Sequence, residues 1–468
     1  MEEELSRLWR ESFDRFSNIP DGLFHEILCF LPIKDIARTS LVSKRFRQLC
    51  LSVPDLFLAF ELQDLCKLGN WTDRFLTLRN GAKLRRFVLT SSTSPCEIAE
   101  TQRLDNSRVG NWIHNTTVIC KAQELDLSFG ISKDKECFSL PLSTFIRTIK
   151  LNLYNGNLKL PSFSFNLLQV LDIKYARLAR SLSEDWVSSL FPAIKKLNLV
   201  SVKGIDNLNI TSSSLEYLDI TGCYGLHRVV VSAERLQTLG VIFSHRDWLL
   251  RIFAPRLREV KLCDDRYCFQ GSSMCLQSVN IDAPMLVESK SLLLLLQFMN
   301  HAKTVTLLAG FLNEVLFRRG SLWYMLVNVQ NLVVQSFSKK DNKMLALASL
   351  FGMFPNLKTL TMSCFDLYPF GYELSNLLAL DQRKFDIQYW ESHDFAFLHQ
   401  LEEANIEINK WAFEVGLIKY LIQHAKALHK MTVTFACNID ISRSSQIRDK
   451  LSEFYENFPN STLDFVLK

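Results

Sequence analysis

Histidine, cysteine and carboxylate side chains are the groups that could do covalent chemistry or hold a metal, and in this chain they never fall at a working spacing. His25 is followed by Glu26 on a stretch with helical periodicity. No second histidine stands four residues after it, so the paired imidazoles that a zinc peptidase needs on one helix face are missing. Cys263, Cys268 and Cys275 gather near Asp264 and Asp265, but the gaps are not the paired C-x-x-C of a tetrahedral thiolate site, and they read as thiols beside a turn. His424 and His429 fall near a helix end and read as polar surface rather than as a ligand pair. There is neither a phosphate-cradling GxxxxGK[ST] loop nor a GxGxxG turn. The expectation is a chain without catalytic residues, metal or cofactor, whose chemistry is non-covalent binding.

Two kinds of residue could do that binding, and the first lies between Asp14 and Pro54. Leu23, Phe24, Ile27, Leu28 and Leu31 fall at i, i+1, i+4, i+5 and i+8, on one side of a helix. Pro20 and Asp21 suit its start, because proline costs nothing in a first turn and aspartate accepts orphan N–H groups. Pro32 stops it. A second short helix is expected from about Lys34 to Val42, and a third after Ser43 as N-cap, carrying Phe46 and Leu49. Three short helices bury little alone, so they either dock on a neighbour or carry a partner.

These residues resemble an F-box. The match runs through Asp14-Arg15, Ile19-Pro20-Asp21, Ile27-Leu28, Phe30-Leu31-Pro32, Thr39-Ser40 and Val42-Ser43-Lys44-Arg45-Phe46-Arg47. Plant versions usually carry Trp where Phe46 stands and Leu where Ile19 stands. The resemblance implies binding of a Skp-type adaptor, and through it a cullin. It implies adaptor contacts at Ile19, Pro20, Leu23, Ile27, Leu28, Leu31, Pro32, Ile36, Leu41, Val42 and Arg45. The plainer alternative is a helical cap whose apolar stripe only closes the next domain.

Behind the helices a six-residue unit recurs: apolar, two mostly polar residues, apolar, any residue, apolar. It opens at Leu84, Ala122, Ile146, Leu168, Ile194, Leu215, Leu236, Leu257, Leu276, Ala302, Val329, Leu357 and Leu428, mostly 19 to 28 residues apart. The alternating end of each unit is a short strand with one face buried. No single copy can bury its own leucines, so copies must stack, each strand parallel to the next. This resembles an irregular leucine-rich repeat. An antiparallel sandwich is the alternative, disfavoured because few hairpin dipeptides link the strands; Tyr154-Asn155-Gly156 is a possible exception. Connections at 182–191 and 343–354 read as helical. The segments 70–78 and 110–118, with Trp71 and Trp112, read as core-filling aromatic helices, and 90–108 as a polar loop.

The second kind of binding residue stands on these strands. In a stacked repeat the residues alternating with the buried ones face the concave side. Asp126, Asn152, Asp172, Asn198, Tyr217, Asp219, Lys261 and Asn280 mix charge, amide and one phenol, which suits a protein target. From about residue 395 the texture changes to strand, amphipathic helix, strand, helix and short strand, and resembles the FBD domain of plant F-box proteins.

Composition bounds the reading. Lys plus Arg number 54 against 49 for Asp plus Glu in 468 residues, a net +5, too weak for a nucleic-acid footprint. The N-terminus lacks the basic-then-apolar pattern of a secretory signal, and the apolar run 292–296 is far shorter than the roughly 20 residues of a membrane span. The twelve cysteines are then reduced, and the expected compartment is cytosol or nucleus. The full expectation is an α/β chain: a three-helix F-box at 14–56, an irregular leucine-rich-repeat solenoid with a parallel β-ladder at 70–390, and an FBD-like α/β cap at 391–468. Its expected function is target recognition in an SCF-type ubiquitin ligase. A repeat scaffold without ligase role and a small-molecule co-receptor are the alternatives.

Overall fold

The computed structural model describes residues 19–60, 65–91, 106–130, 137–140, 143–178, 182–242, 248–263, 267–272, 276–282, 295–308, 324–335, 343–363, 387–408, 412–435, 441–457 and 462–467. The chain groups into two compact units, 1–205 with 222–225 and 206–221 with 226–468.

The first unit opens with α1 (Asp21–Cys29), α2 (Ile33–Thr39) and α3 (Lys44–Leu51). Pro20 and Pro32 precede α1 and α2, and Ser43 Oγ accepts from the Phe46 N–H at 3.1 Å as the α3 cap. Helix α2 ends at Thr39, three residues short of the sequence expectation. The hydroxyls of Thr39 and Ser40 bond back to the carbonyls of Asp35 and Ala37, which loosens a short helix and leaves Leu41 and Val42 in a turn. The helices share a small core in which the Phe24 and Phe46 rings stack at 4.6 Å, with Leu28, Ile33, Ile36, Leu49, Cys50 and Val53 buried around them.

The ladder begins at once with β1 (Asp55–Phe60), before any unit recognised in the sequence. After it come α4 (Leu65–Leu78), β2 (Arg86–Ser91), α5 (Asn106–His114), β3 (Glu124–Ser128), β4 (Cys137–Ser139), β5 (Thr148–Lys159), β6 (Val170–Leu178), α6 (Trp186–Leu190) and β7 (Lys196–Val200). Strands β1, β2, β3, β5, β6 and β7 pair in that order, all parallel. Leu127, Leu151, Ile173 and Leu199 form one inward row, at most 2% exposed. Such rows are what the six-residue unit encodes: each coil completes the burial of its neighbour.

The second unit holds β8 (Asn207–Ser212), β9 (Tyr217–Thr221), β10 (Arg228–Ala233), β11 (Thr238–Ile242), β12 (Trp248–Phe253), β13 (Glu259–Cys263), β14 (Tyr267–Ser272), β15 (Ser278–Asp282), β16 (Thr304–Leu308), β17 (Asn331–Gln335), α7 (Lys343–Gly352), β18 (Thr359–Ser363), α8 (Ile387–Glu391), β19 (Glu403–Ile408), α9 (Ala412–His424), β20 (Lys430–Phe435), α10 (Ile441–Tyr455) and β21 (Thr462–Leu467). The main ladder runs β9, β11, β13, β15, β16, β17, β18, β19, β20, β21, again parallel throughout. The antiparallel sandwich therefore drops out. Beyond residue 390 the described residues add three more parallel strands to this ladder, with α9 and α10 as their connections.

A second ladder, absent from the sequence reading, joins β8, β10, β12 and β14 in parallel. In the first unit its counterpart is made by strands that bend. At Tyr154 and Asn155 (φ 46° and 70°) strand β5 turns a corner, and its far half pairs with β4 and with the far half of β6. The suspected hairpin at 154–156 is thus a corner between two parallel strips, not a reversal.

Candidate functional site

The adaptor residues inferred from the N-terminal stretch divide sharply by exposure. Leu23 is 54% exposed, Ile27 47%, Leu41 76% and Val42 69%. Pro20 and Pro32 are also exposed, and Ile19, Leu31 and Arg45 are intermediate. Leu28 and Ile36, by contrast, are 0% exposed. They lie in the core shared by the three helices. Phe30, quoted in the motif but not among the inferred contacts, is the most exposed apolar side chain here at 88%. It stands three residues after Ile27, so Leu23, Ile27 and Phe30 follow one another at i, i+4 and i+7 along one face.

Arg45 sets the geometry of this surface. Its Nη2 donates to the carbonyl of Ile19 and to Asp21 Oδ1, both at 2.6 Å. The start of α3 is thereby tied to the start of α1. Arg45 is thus largely occupied within the chain. His25 also has an internal role: its Nε2 lies 3.1 Å from the Leu49 carbonyl and 2.9 Å from Ser52 Oγ, at the end of α3. What the helices offer is an apolar surface, and burying each such side chain is worth about 1.5–3 kcal/mol.

The inferred target residues fall on the outward face of the ladders. In the first unit Asp126, Asp172 and Asn198 share one cross-strand row with Lys150, and Asn152 lies one row further along. Asn198 Nδ2 donates to Asp172 Oδ1 at 2.9 Å, Lys174 lies 3.5 Å from Asp172, and Arg86 lies 3.2 Å from Asp126. In the second unit Asp219, Lys261 and Asn280 share a row with Gly240, and Tyr217 stands in the adjacent row. Asp219 accepts from Thr221 at 2.7 Å and from Tyr217 at 3.3 Å. Its carboxylate lies over Gly240, where a Cβ would meet it at 2.8 Å. These rows are polar, and several of their side chains are hydrogen-bonded to one another.

Elsewhere the described residues hold no group of three His, Cys, Asp or Glu side chains placed to bind a metal. Cys275, Asp264 and Asp265 lie outside the described residues, as does most of the polar 90–108 segment. His424 lies 3.6 Å from Glu391 and His429 3.7 Å from Glu403, so each histidine has its own carboxylate. Trp112 is buried, its indole N–H donating to Asp73 at 2.5 Å. No helix among the described residues is long and apolar enough to cross a membrane.

Residues 16–58 match the F-box domain family, and residues 145–362 match the family of leucine-rich repeats of FBD-associated F-box protein At5g56370. An F-box/FBD/LRR-repeat protein of Arabidopsis thaliana, At4g03220, is 27% identical over 95% of this chain and 94% of its own length. F-box/LRR-repeat protein 13 of the same plant is 29% identical over 55% of this chain and 53% of its own. F-box/FBD/LRR-repeat protein At5g56420 is 26% identical over 58% and 60%. The chain therefore carries an F-box domain followed by repeat and C-terminal regions that match plant F-box/FBD/LRR proteins.

Proposed function

We propose that this chain is the target-recognition subunit of an SCF-type ubiquitin ligase. Its F-box binds a Skp-type adaptor, and through it a cullin, by the exposed face of Leu23, Ile27, Phe30, Leu41 and Val42, rimmed by Pro20 and Pro32. Its ladders bind a protein target by their outward rows. The role is non-catalytic: the chain raises the local concentration of the target beside the ubiquitin carrier, in cytosol or nucleus.

The observation that carries this reading is the exposure of five large apolar side chains on a small, well-packed helical module. A helical cap that only closed the array would turn its apolar stripe inward. Here the inward half of the stripe does that, and the outward half stays exposed, which supports a role in binding. Affinity purification of the tagged full chain from plant cells with the proteasome inhibited tests the reading. Adaptor and cullin should co-purify in near-equal amount with the bait, together with ubiquitin-modified protein. Recovery of the chain without adaptor or cullin would instead favour a repeat scaffold.

A further inference from the structure

Beside the main ladder of the first unit runs a second outward row. Asn157 pairs with Arg177, and Arg177 in turn with Lys203. Like charges set opposite one another on neighbouring strands destabilise a sheet. Arg86 and Lys174 on the main ladder have ion pairs, whereas among the described residues neither Arg177 nor Lys203 has a carboxylate partner. Among the described residues that charge is left uncompensated.

Two exposed tyrosines flank the pair. Tyr175, two residues before Arg177, is 43% exposed; Tyr224 is 48% exposed, with Lys203 Nζ 5.6 Å from its ring centre. Tyr175 has φ 48°, as Tyr154 on the preceding coil has φ 46°. Residues other than glycine are disfavoured in that left-handed region. Burial of the Tyr175 ring does not offset this, since the ring is displayed. Tyr154, Tyr175 and, after β7, Ser201 (φ 52°) mark the corner at which successive strands turn, and at Tyr175 that corner leaves the phenol exposed.

Unpaired guanidinium and ammonium groups between phenol rings fit carboxylates carried on a protein. Arginine takes a carboxylate through two parallel N–H donors, and tyrosine and arginine dominate the energetic centres of protein interfaces. A nucleic-acid backbone fits less well. Two cations neutralise few phosphates, and a net +5 over 468 residues is too small an excess to extend a track. We propose that Tyr175, Arg177, Lys203 and Tyr224 form a docking site for an acidic segment of a protein, its Asp or Glu side chains on Arg177 and Lys203 and its apolar positions against the tyrosine rings. This rests on the reading of the array as the target-holding part and specifies the target's chemistry.

The test is selection of random displayed peptides on the purified full chain. The recovered pool should be enriched in Asp and Glu, and synthetic members should bind the R177E/K203E variant about tenfold more weakly or worse, with smaller losses for Y175S and Y224S. All four positions are half-exposed or exposed, so thermal stability should be unchanged, or slightly raised by the charge reversal. A Phe30→Ser variant should keep peptide binding, which separates this site from the adaptor surface. No enriched pool, a pool without acidic bias, or binding that survives R177E/K203E would overturn the proposal. So would a single-stranded RNA that binds wild type but not R177E/K203E while no acidic peptide is recovered.

Discussion

Arg79 donates through Nη1 to the carbonyl of Val53 at 2.9 Å, and through Nη2 to the carbonyls of Ala82 and Lys83 at 3.2 and 3.1 Å. One guanidinium, only 3% of the residue exposed, therefore joins the end of the helical module to the turn that leads into β2. Its five donors in a rigid fork let one side chain serve three carbonyls.

Arg79→Ala should lower stability by about 3 kcal/mol, since buried carbonyls that lose a charged donor keep their desolvation cost. Arg79→Lys should recover only part of it, because an ammonium on a single stem cannot span both sides. Denaturant melts of the purified variants measure this. An Arg79→Ala midpoint equal to wild type would mean that the module is not fastened here.

Asp73 accepts from Arg108 at 2.6 Å and from Trp112 at 2.5 Å, joining α4 to α5. Burial pulls its carboxyl up, but the hydrogen bonds from Arg108 and Trp112 and the Arg108 charge outweigh this and hold it below the ordinary value. A depressed carboxylate stabilises the fold above its unfolded pKa of about 3.9 and ceases to do so as pH falls through the folded value. Asp73→Asn should therefore be less stable than wild type at neutral pH, by under about 1 kcal/mol because the pair is exposed. The gap should close below about pH 4. A gap that persists unchanged in acid would rule out the ionic contribution.

Gly204 sits at φ 87°, and a Cβ built there would run into the Leu178 carbonyl oxygen. Gly204→Ala should cost about 2 kcal/mol or more through the left-handed backbone alone. A lower melting temperature with an unchanged circular dichroism spectrum is the expected result.

Cys50 is fully buried and its thiol is pushed up to about 11 by burial, whereas Cys137 is exposed. The thiolate is the reactive form, so brief alkylation near neutral pH should modify Cys137 and spare Cys50 until the chain is denatured. Peptide mass spectrometry reads both sites in one sample. Early labelling of Cys50 would show that the helical core opens readily.

The ladder was legible in the sequence to a fine level. All thirteen six-residue units became strands, each strand starting two residues after its unit's first residue. The second ladder carries the same spacing, in Ile205, Leu208 and Ile210 and again in Leu226, Val229 and Val231. It was missed because one strand per coil already accounted for the period, and a strand that turns a corner looks like a loop in sequence. The adaptor surface was legible only in part. Leu23 and Ile27 are four residues apart, and so are Phe24 and Leu28. Periodicity therefore gives two overlapping stripes and does not say which faces inward; packing decides, placing the Phe24 ring on Phe46. Arg177 and Lys203 had no signal at all, since their juxtaposition exists only once the coils are stacked.

The central claim is that the exposed apolar face of the helical module holds a Skp-type adaptor, and its most direct test is adaptor affinity measured on matched substitutions of opposite exposure. Phe30→Ser and Leu23→Asp should weaken binding by tenfold or more, about 1.4 kcal/mol or above, with melting temperature unchanged. Leu28→Asp, which buries a charge in the small core, should instead unfold the module. Wild-type affinity in both exposed variants would contradict the account.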